Sequence, residues 1–260
     1  MIKNAFERII EMLRTAHIED ERVFSQTVLY KEGWLLRIIL DILSEGLDYP
    51  PLTFQEGVRW FSEAKLRSPF RRRPDEKKKN KKSGRKMVAE GSTSVDGVYG
   101  HFDIRRKVGI KLRKDATQFV VIEAKMSSPL SEGVDYSSKY NQAARTVACM
   151  VQEIEMANIS ASDINSLGYY VIAPEKYLKF PKERFSTYVD KDSISQSVEN
   201  RIDDYAGREI HNELENWYEE VFTPSLKHFN VKSFSWKDII DIIDDESVSE
   251  FHQRCLAFNK

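Results

Sequence analysis

The chain has 260 residues, 41% of them hydrophobic and 31% charged, with a net charge of −1. That balance supplies a full apolar core and excludes wholesale disorder, and no run of 18 apolar residues offers a membrane span. Met1 to Glu11 lacks the apolar stretch of a secretory leader, and Cys149 and Cys255 lie far apart in apolar contexts, so a reduced, cytoplasmic protein without disulfides or a zinc site is expected.

Apolar residues at helical spacing predict a helix over residues 1–17 (Phe6, Ile9, Ile10, Leu13) and another over about 24–43 (Val28, Leu35, Leu36, Ile39, Leu40, Leu43), stopped near Gly46. Pro50 and Pro51 mark a loop. Residues 54–66 read as a third helix through Phe54, Val58, Phe61 and Ala64. Strand signals then dominate. Residues 94–96 and 98–99 flank a turn at Gly97, residues 101–112 partly alternate, and Phe119 to Ile122 is a continuous apolar run, as expected of a strand buried on both faces. A short polar hairpin loop, 113–117, is expected between the last two. A helix follows over about 135–157, then a buried strand at 167–172 ended by Pro174. Residues 197–222, 236–243 and 248–258 read as helices. The expected organisation is a core over 1–175 with a helical extension, 176–260, packed on the same domain.

The small net charge hides an asymmetry. Arg71, Arg72, Arg73, Lys77, Lys78, Lys79, Lys81, Lys82, Arg85 and Lys86 are opposed locally by Asp75 and Glu76 alone. Without this stretch the remaining 30 basic and 39 acidic residues carry −9. Such a run is usually a solvated loop. Its functional reading is an arm that tracks phosphates and adds a salt-dependent term to nucleic-acid affinity.

The sharpest chemical feature is Phe119-Val-Val-Ile-Glu-Ala-Lys125. Spacing i, i+2 in a strand puts Glu123 and Lys125 on one face. Burying them needs partners, and a divalent ion with a phosphate would supply these. Asp103 precedes Glu123 by twenty residues. A hairpin centred on Asp115 would place Asp103 on the same face as Lys125, although a half-residue shift would reverse that parity. His101, by alternation, points the other way and reads as a packed, hydrogen-bonded histidine. The acidic group Asp238, Asp241, Asp244, Asp245 and Glu246 reads as a solvated helix face.

With these residues the chain resembles the PD-(D/E)XK, or restriction-endonuclease-like, nuclease superfamily over roughly residues 20–175. The resemblance implies an α/β fold: an αβββαβ core with a mixed central sheet and additional N- and C-terminal helices. It implies magnesium (or manganese) held by Asp103, Glu123 and the Ala124 carbonyl, with Lys125 orienting or deprotonating the attacking water or stabilising the phosphorane charge. It further implies a glutamate on the first core helix, here Glu32, with Glu21 and Glu63 as competitors, and positioning groups Gln142 and Arg145 on the next helix. Phe102 stands where the family's proline precedes the acidic residue, and Asp96, in Val95-Asp-Gly97, competes with Asp103 as the metal ligand. The implied activity is hydrolysis of DNA phosphodiesters. The rival expectation is a catalytically silent DNA- or protein-binding component of a larger assembly, and a homodimer or partner subunit stays open on the same grounds.

Overall fold

The computed structural model describes residues 4–20, 30–47, 49–50, 52–70, 89–133, 137–179 and 185–258. The basic stretch expected to track phosphates, 71–86, lies outside the described residues, as does Glu21. In chain order the elements begin with helices α1 (Ala5–Asp20) and α2 (Glu32–Ser44), strands β1 (Arg59–Arg67) and β2 (Ser92–Gly100), the short strands β3 (Phe102–Ile104) and β4 (Ile110–Leu112), and strand β5 (Gln118–Ala124). Helix α3 (Gln142–Ala157) and strand β6 (Ser166–Ala173) follow, then α4 (Glu175–Lys179), α5 (Phe185–Tyr188), α6 (Lys191–Asp203) and α7 (His211–Trp217). A π-helical turn, Tyr218–Phe222, leads into α8 (Thr223–Leu226), strand β7 (Asn230–Ser235), α9 (Trp236–Ile243) and α10 (Glu246–Phe258).

The protein is mixed α/β. Its five-stranded sheet has the order β1-β2-β5-β6-β7, with β1, β2 and β5 antiparallel to their neighbours and β5, β6 and β7 parallel. Parallel strands need a crossover, and α3 supplies the one between β5 and β6. Strand β5 is buried at every position and its side chains alternate between two apolar layers. Phe119 and Val121 join the layer containing α3, α6 and α7, whereas Val120, Ile122 and Ala124 join the layer containing α1, α2, α9 and α10. Glu123 therefore points toward α3. Gly97 marks how closely α2 approaches the sheet, since a Cβ there would stand 2.9 Å from Leu36 Cδ2.

Several expectations change. Residues 59–66, expected within a helix, lie in β1: pairing with β2 overrides the pattern, and the three-residue spacing of Phe61 and Ala64 that looked helical comes from a parity reversal inside the strand. The turn expected at Gly97 is the interior of one strand, β2. Residues 101–112 do not form one strand paired to β5. They fold into a separate two-stranded ribbon, β3–β4, inserted between β2 and β5. The helix expected from 135 starts at Gln142, where the Asn141 side chain caps it by accepting from Ala144 N at 2.9 Å. The C-terminal extension is not purely helical: β7 adds a fifth strand to the sheet.

Candidate functional site

The site forms where β2 leaves β5. Their ladder runs from Gly100↔Phe119 to Gly97↔Ile122 and stops. One step further the same register sets Asp96 opposite Glu123. There the backbone ladder is replaced by a side chain, and Asp96 Oδ2 accepts the Ala124 N–H at 2.8 Å. At the same level β1 is irregular too. Pairs on both sides of Glu63 keep one register with β2, yet the Glu63↔Asp96 pair itself is missing. Glu63 adopts φ 55°, a left-handed conformation that a non-glycine residue holds at a cost of about 1–2 kcal/mol. The twist reverses side-chain parity, so that Phe61 and Ala64 pack on the same layer, as do Val95 and Val98 on β2.

Glu123 is 1% exposed. Its Oε2 accepts from Gln142 Nε2 at 2.9 Å and its Oε1 from Thr146 Oγ1 at 3.1 Å. The Gln142 amide is oriented by its other end, where Oε1 accepts from Ser131 N at 3.3 Å. Lys125 Nζ stands 3.9 Å from Glu123 Oε2, an ion pair without the short contact of a hydrogen bond. Burial pushes the Glu123 carboxyl well above the usual carboxylate range. The Asp96 charge adds to the rise, Lys125 opposes it, and a hydrogen bond between the two carboxyls favours the protonated form. Two carboxylates thus share one corner, with a single ammonium beside them.

The Lys125 backbone is held from both sides. Its N–H donates to Ile172 O at 2.8 Å, and Trp236 Nε1, from the start of α9, donates to its carbonyl at 2.7 Å. On the α2 side of the corner, Arg37 Nε donates to Ser62 Oγ at 2.8 Å and Arg37 Nη2 lies 3.6 Å from Glu63 Oε1. Burial pushes the Arg37 pKa down, against the charges of Glu63 and Asp96. Burial likewise raises Glu63, with Arg37 opposing and Asp96 and Glu32 adding to the rise.

The structure therefore brings together Glu123, Lys125, Ala124 and Gln142 from the sequence-derived set, with the competitor Asp96 as second carboxylate. Asp103 is not among them. It is exposed on β3, opposite Lys111 in the ribbon. The expectation that placed it there assumed one continuous strand over 101–112. The real ladder pairs β5 with residues 97–100, and the ribbon carries Asp103 away. Glu32 opens α2, where its charge acts on Glu63, and makes no hydrogen bond to Glu123. Arg145 likewise does not bond Glu123. Its charge lies beside Tyr140 and Tyr169, and its Nε is buried without a partner. Thr146 was missed, although its i+4 spacing from Gln142 puts both on one helix face. His101 is structural: Nε2 meets Glu56 O at 3.0 Å, and Nδ1 accepts from Thr117 N and Gln118 N, both at 3.3 Å.

Among the described residues no three His, Cys, Asp or Glu side chains stand close enough to hold a metal ion together. The donor set at the corner is two carboxylates and a backbone carbonyl. Ala124 directs its N–H toward Asp96, and an extended residue points its C=O to the same side as its N–H. Magnesium commonly takes one or two carboxylates and fills its remaining positions with water, so the set fits a hard divalent cation. Among the described residues no helix is long and apolar enough to cross a membrane. The chain matches no family model, no curated protein and no solved structure.

Proposed function

We propose that the chain is a magnesium-dependent nuclease with a restriction-endonuclease-like αβββαβ core, made of α2, β1, β2, β5, α3 and β6, that hydrolyses DNA phosphodiesters. The observation that carries this reading is the corner itself. A buried glutamate is set against a second carboxyl, Asp96, with Lys125 just past the strand end and, among the described residues, no cation within hydrogen-bonding distance of the pair. A structural role would not need two carboxyls held against each other with one kept protonated, whereas a divalent cation would take the place of that proton.

In this reading Asp96, Glu123 and the Ala124 carbonyl hold the ion. When bound, it would lower the pKa of water at the site and offset the charge of the phosphate. Gln142 and Thr146 fix the Glu123 carboxylate so that its free lone pairs face Asp96. Lys125, with its side chain 13% exposed, reaches solvent at the same corner and would orient the attacking water or stabilise charge on the phosphate. Trp236 keeps the Lys125 backbone from shifting.

Calorimetric titration with manganese and cleavage of plasmid DNA test the proposal together. One divalent ion should bind the parent chain, and Lys125→Ala should retain it while cutting roughly 10²–10⁴-fold more slowly. Cleavage by Lys125→Ala at the parent rate would refute the assignment of roles. Absence of any divalent binding would favour the silent DNA- or protein-binding alternative, a reading also compatible with a corner that offers only two carboxylates.

A further inference from the structure

We infer that the β3–β4 ribbon is a contact surface for the backbone of duplex DNA beside the site, an assignment that takes its ligand from the nuclease reading. Residues 103–115 carry Arg105, Arg106, Lys107, Lys111, Arg113 and Lys114 against Asp103 and Asp115, a net +4 in a chain whose remainder is −5. The inner face of the ribbon is anchored: Phe102, Ile110 and Leu112 are buried in the α3 layer. The cations are left outside. Arg105, Arg106, Lys111 and Lys114 are exposed and hold no ion pair among the described residues, while Arg113 is engaged by Asp115. An acidic protein that fixes unneutralised cations on a packed scaffold presents a built anion surface rather than a mobile tail.

Its position gives the surface a purpose. Arg105 N donates to Gly109 O at 2.7 Å, closing the tip, and Gly109 bridges to Lys65 of β1, two residues beyond Glu63. The tip therefore follows β5, β2 and β1 as the next neighbour across the sheet. At about 4.8 Å per strand, Arg105 and Arg106 stand roughly 15 Å from the Glu123 strand. That is the scale of a major groove, about 12 Å wide, so a duplex with one phosphate at Asp96 and Glu123 would present further phosphates to the ribbon. Ile104 adjoins these cations at 44% exposure. An exposed apolar side chain in a basic ribbon suits contact with sugars or base edges.

The test measures affinity of the full chain for a short DNA duplex, with calcium in place of magnesium, between roughly 50 and 200 mM salt. The double reversal Arg105→Glu/Arg106→Glu should weaken binding at least tenfold, and should flatten the slope of log K against log salt by about 2, from about 0.9 per lost phosphate contact. Lys111→Glu/Lys114→Glu, on the other strand side of the ribbon, should act in the same direction. The charge-matched control Arg208→Glu/Lys227→Glu, on exposed positions in the loop before α7 and the turn after α8, should change the slope little, and melting temperatures equal to the parent establish that each variant is folded. Ribbon variants that bind within twofold of the control overturn the assignment, as does equal or tighter binding of single-stranded DNA or RNA by the parent chain. A chain that cuts DNA yet is indifferent to ribbon charge removes only the ribbon. Ribbon-dependent duplex binding without metal uptake or cleavage removes only the nuclease reading.

Discussion

Two buried glutamates face the same apolar layer and are treated in opposite ways. Glu153, on α3, is fully matched: Arg67 donates its backbone N–H at 2.9 Å and its Nε at 2.8 Å to Oε1, and its Nη2 to Oε2. Glu123, on β5, receives an amide and a hydroxyl, faces Asp96, and keeps its one ammonium neighbour 3.9 Å away. The first arrangement stores stability in a bidentate, charge-assisted pair that ties the end of β1 to α3. The second is held beside another carboxyl in a place where ionising it lowers stability. On the proposed reading, the contrast separates a carboxylate that builds the fold from one kept for a ligand.

The largest effect that would sharpen this comparison is expected at the structural pair. Glu153→Ala should destabilise the chain by about 2–3 kcal/mol, below the roughly 3–5 kcal/mol of a fully enclosed pair because Arg67 is a fifth exposed. Urea unfolding measures it, and a loss below about 0.5 kcal/mol would erase the contrast. Glu123→Gln should act in the other direction, raising metal-free stability by about 1 kcal/mol at neutral pH while abolishing cleavage.

The same substitution carries a pH signature. The folded-state pKa of Glu123 lies above its ordinary value of 4.5. As pH rises past that value the unfolded chain releases its proton first, so parent stability should fall until the folded-state carboxyl also ionises. Melting temperatures in a chelator should show this fall in the parent and not in Glu123→Gln, and added magnesium should reverse it. The smallest expected effect is that of Asp103→Ala, which should leave cleavage within about twofold of the parent, whereas Asp96→Asn should remove it. Equal losses at the two positions would return Asp103 to the site and break the assignment made from the β2–β5 ladder.

Much of the site was legible because its signal is local. An apolar run ending in Glu-x-Lys dictates a buried strand with two charges on one face, and no tertiary information is needed to see it. Gln142 followed from helical spacing in the same way. Asp96 and Asp103 could not be separated on these terms. Both precede the strand within strand-like sequence, and the choice depends on register, which a single inserted ribbon changes. The αβββαβ order of the proposed core counts different strands from those read in the sequence. The strand counted over 101–112 is the ribbon, and the third core strand is β1, read from sequence as a helix.

Composition and periodicity alone determined that the chain folds as mixed α/β, that β5 is buried on both faces, and that Glu123 and Lys125 share a face. These follow from the two-residue repeat of a strand and from the expense of burying charge. Pairing of residues distant in sequence decided the rest: that Asp96 is the second carboxylate, that Thr146 and Trp236 brace the corner, and that the C-terminal region adds β7 to the sheet. Hydrogen-bond ladders are indifferent to side-chain identity. Only the competition among all possible registers for one buried core selects which carboxylates meet.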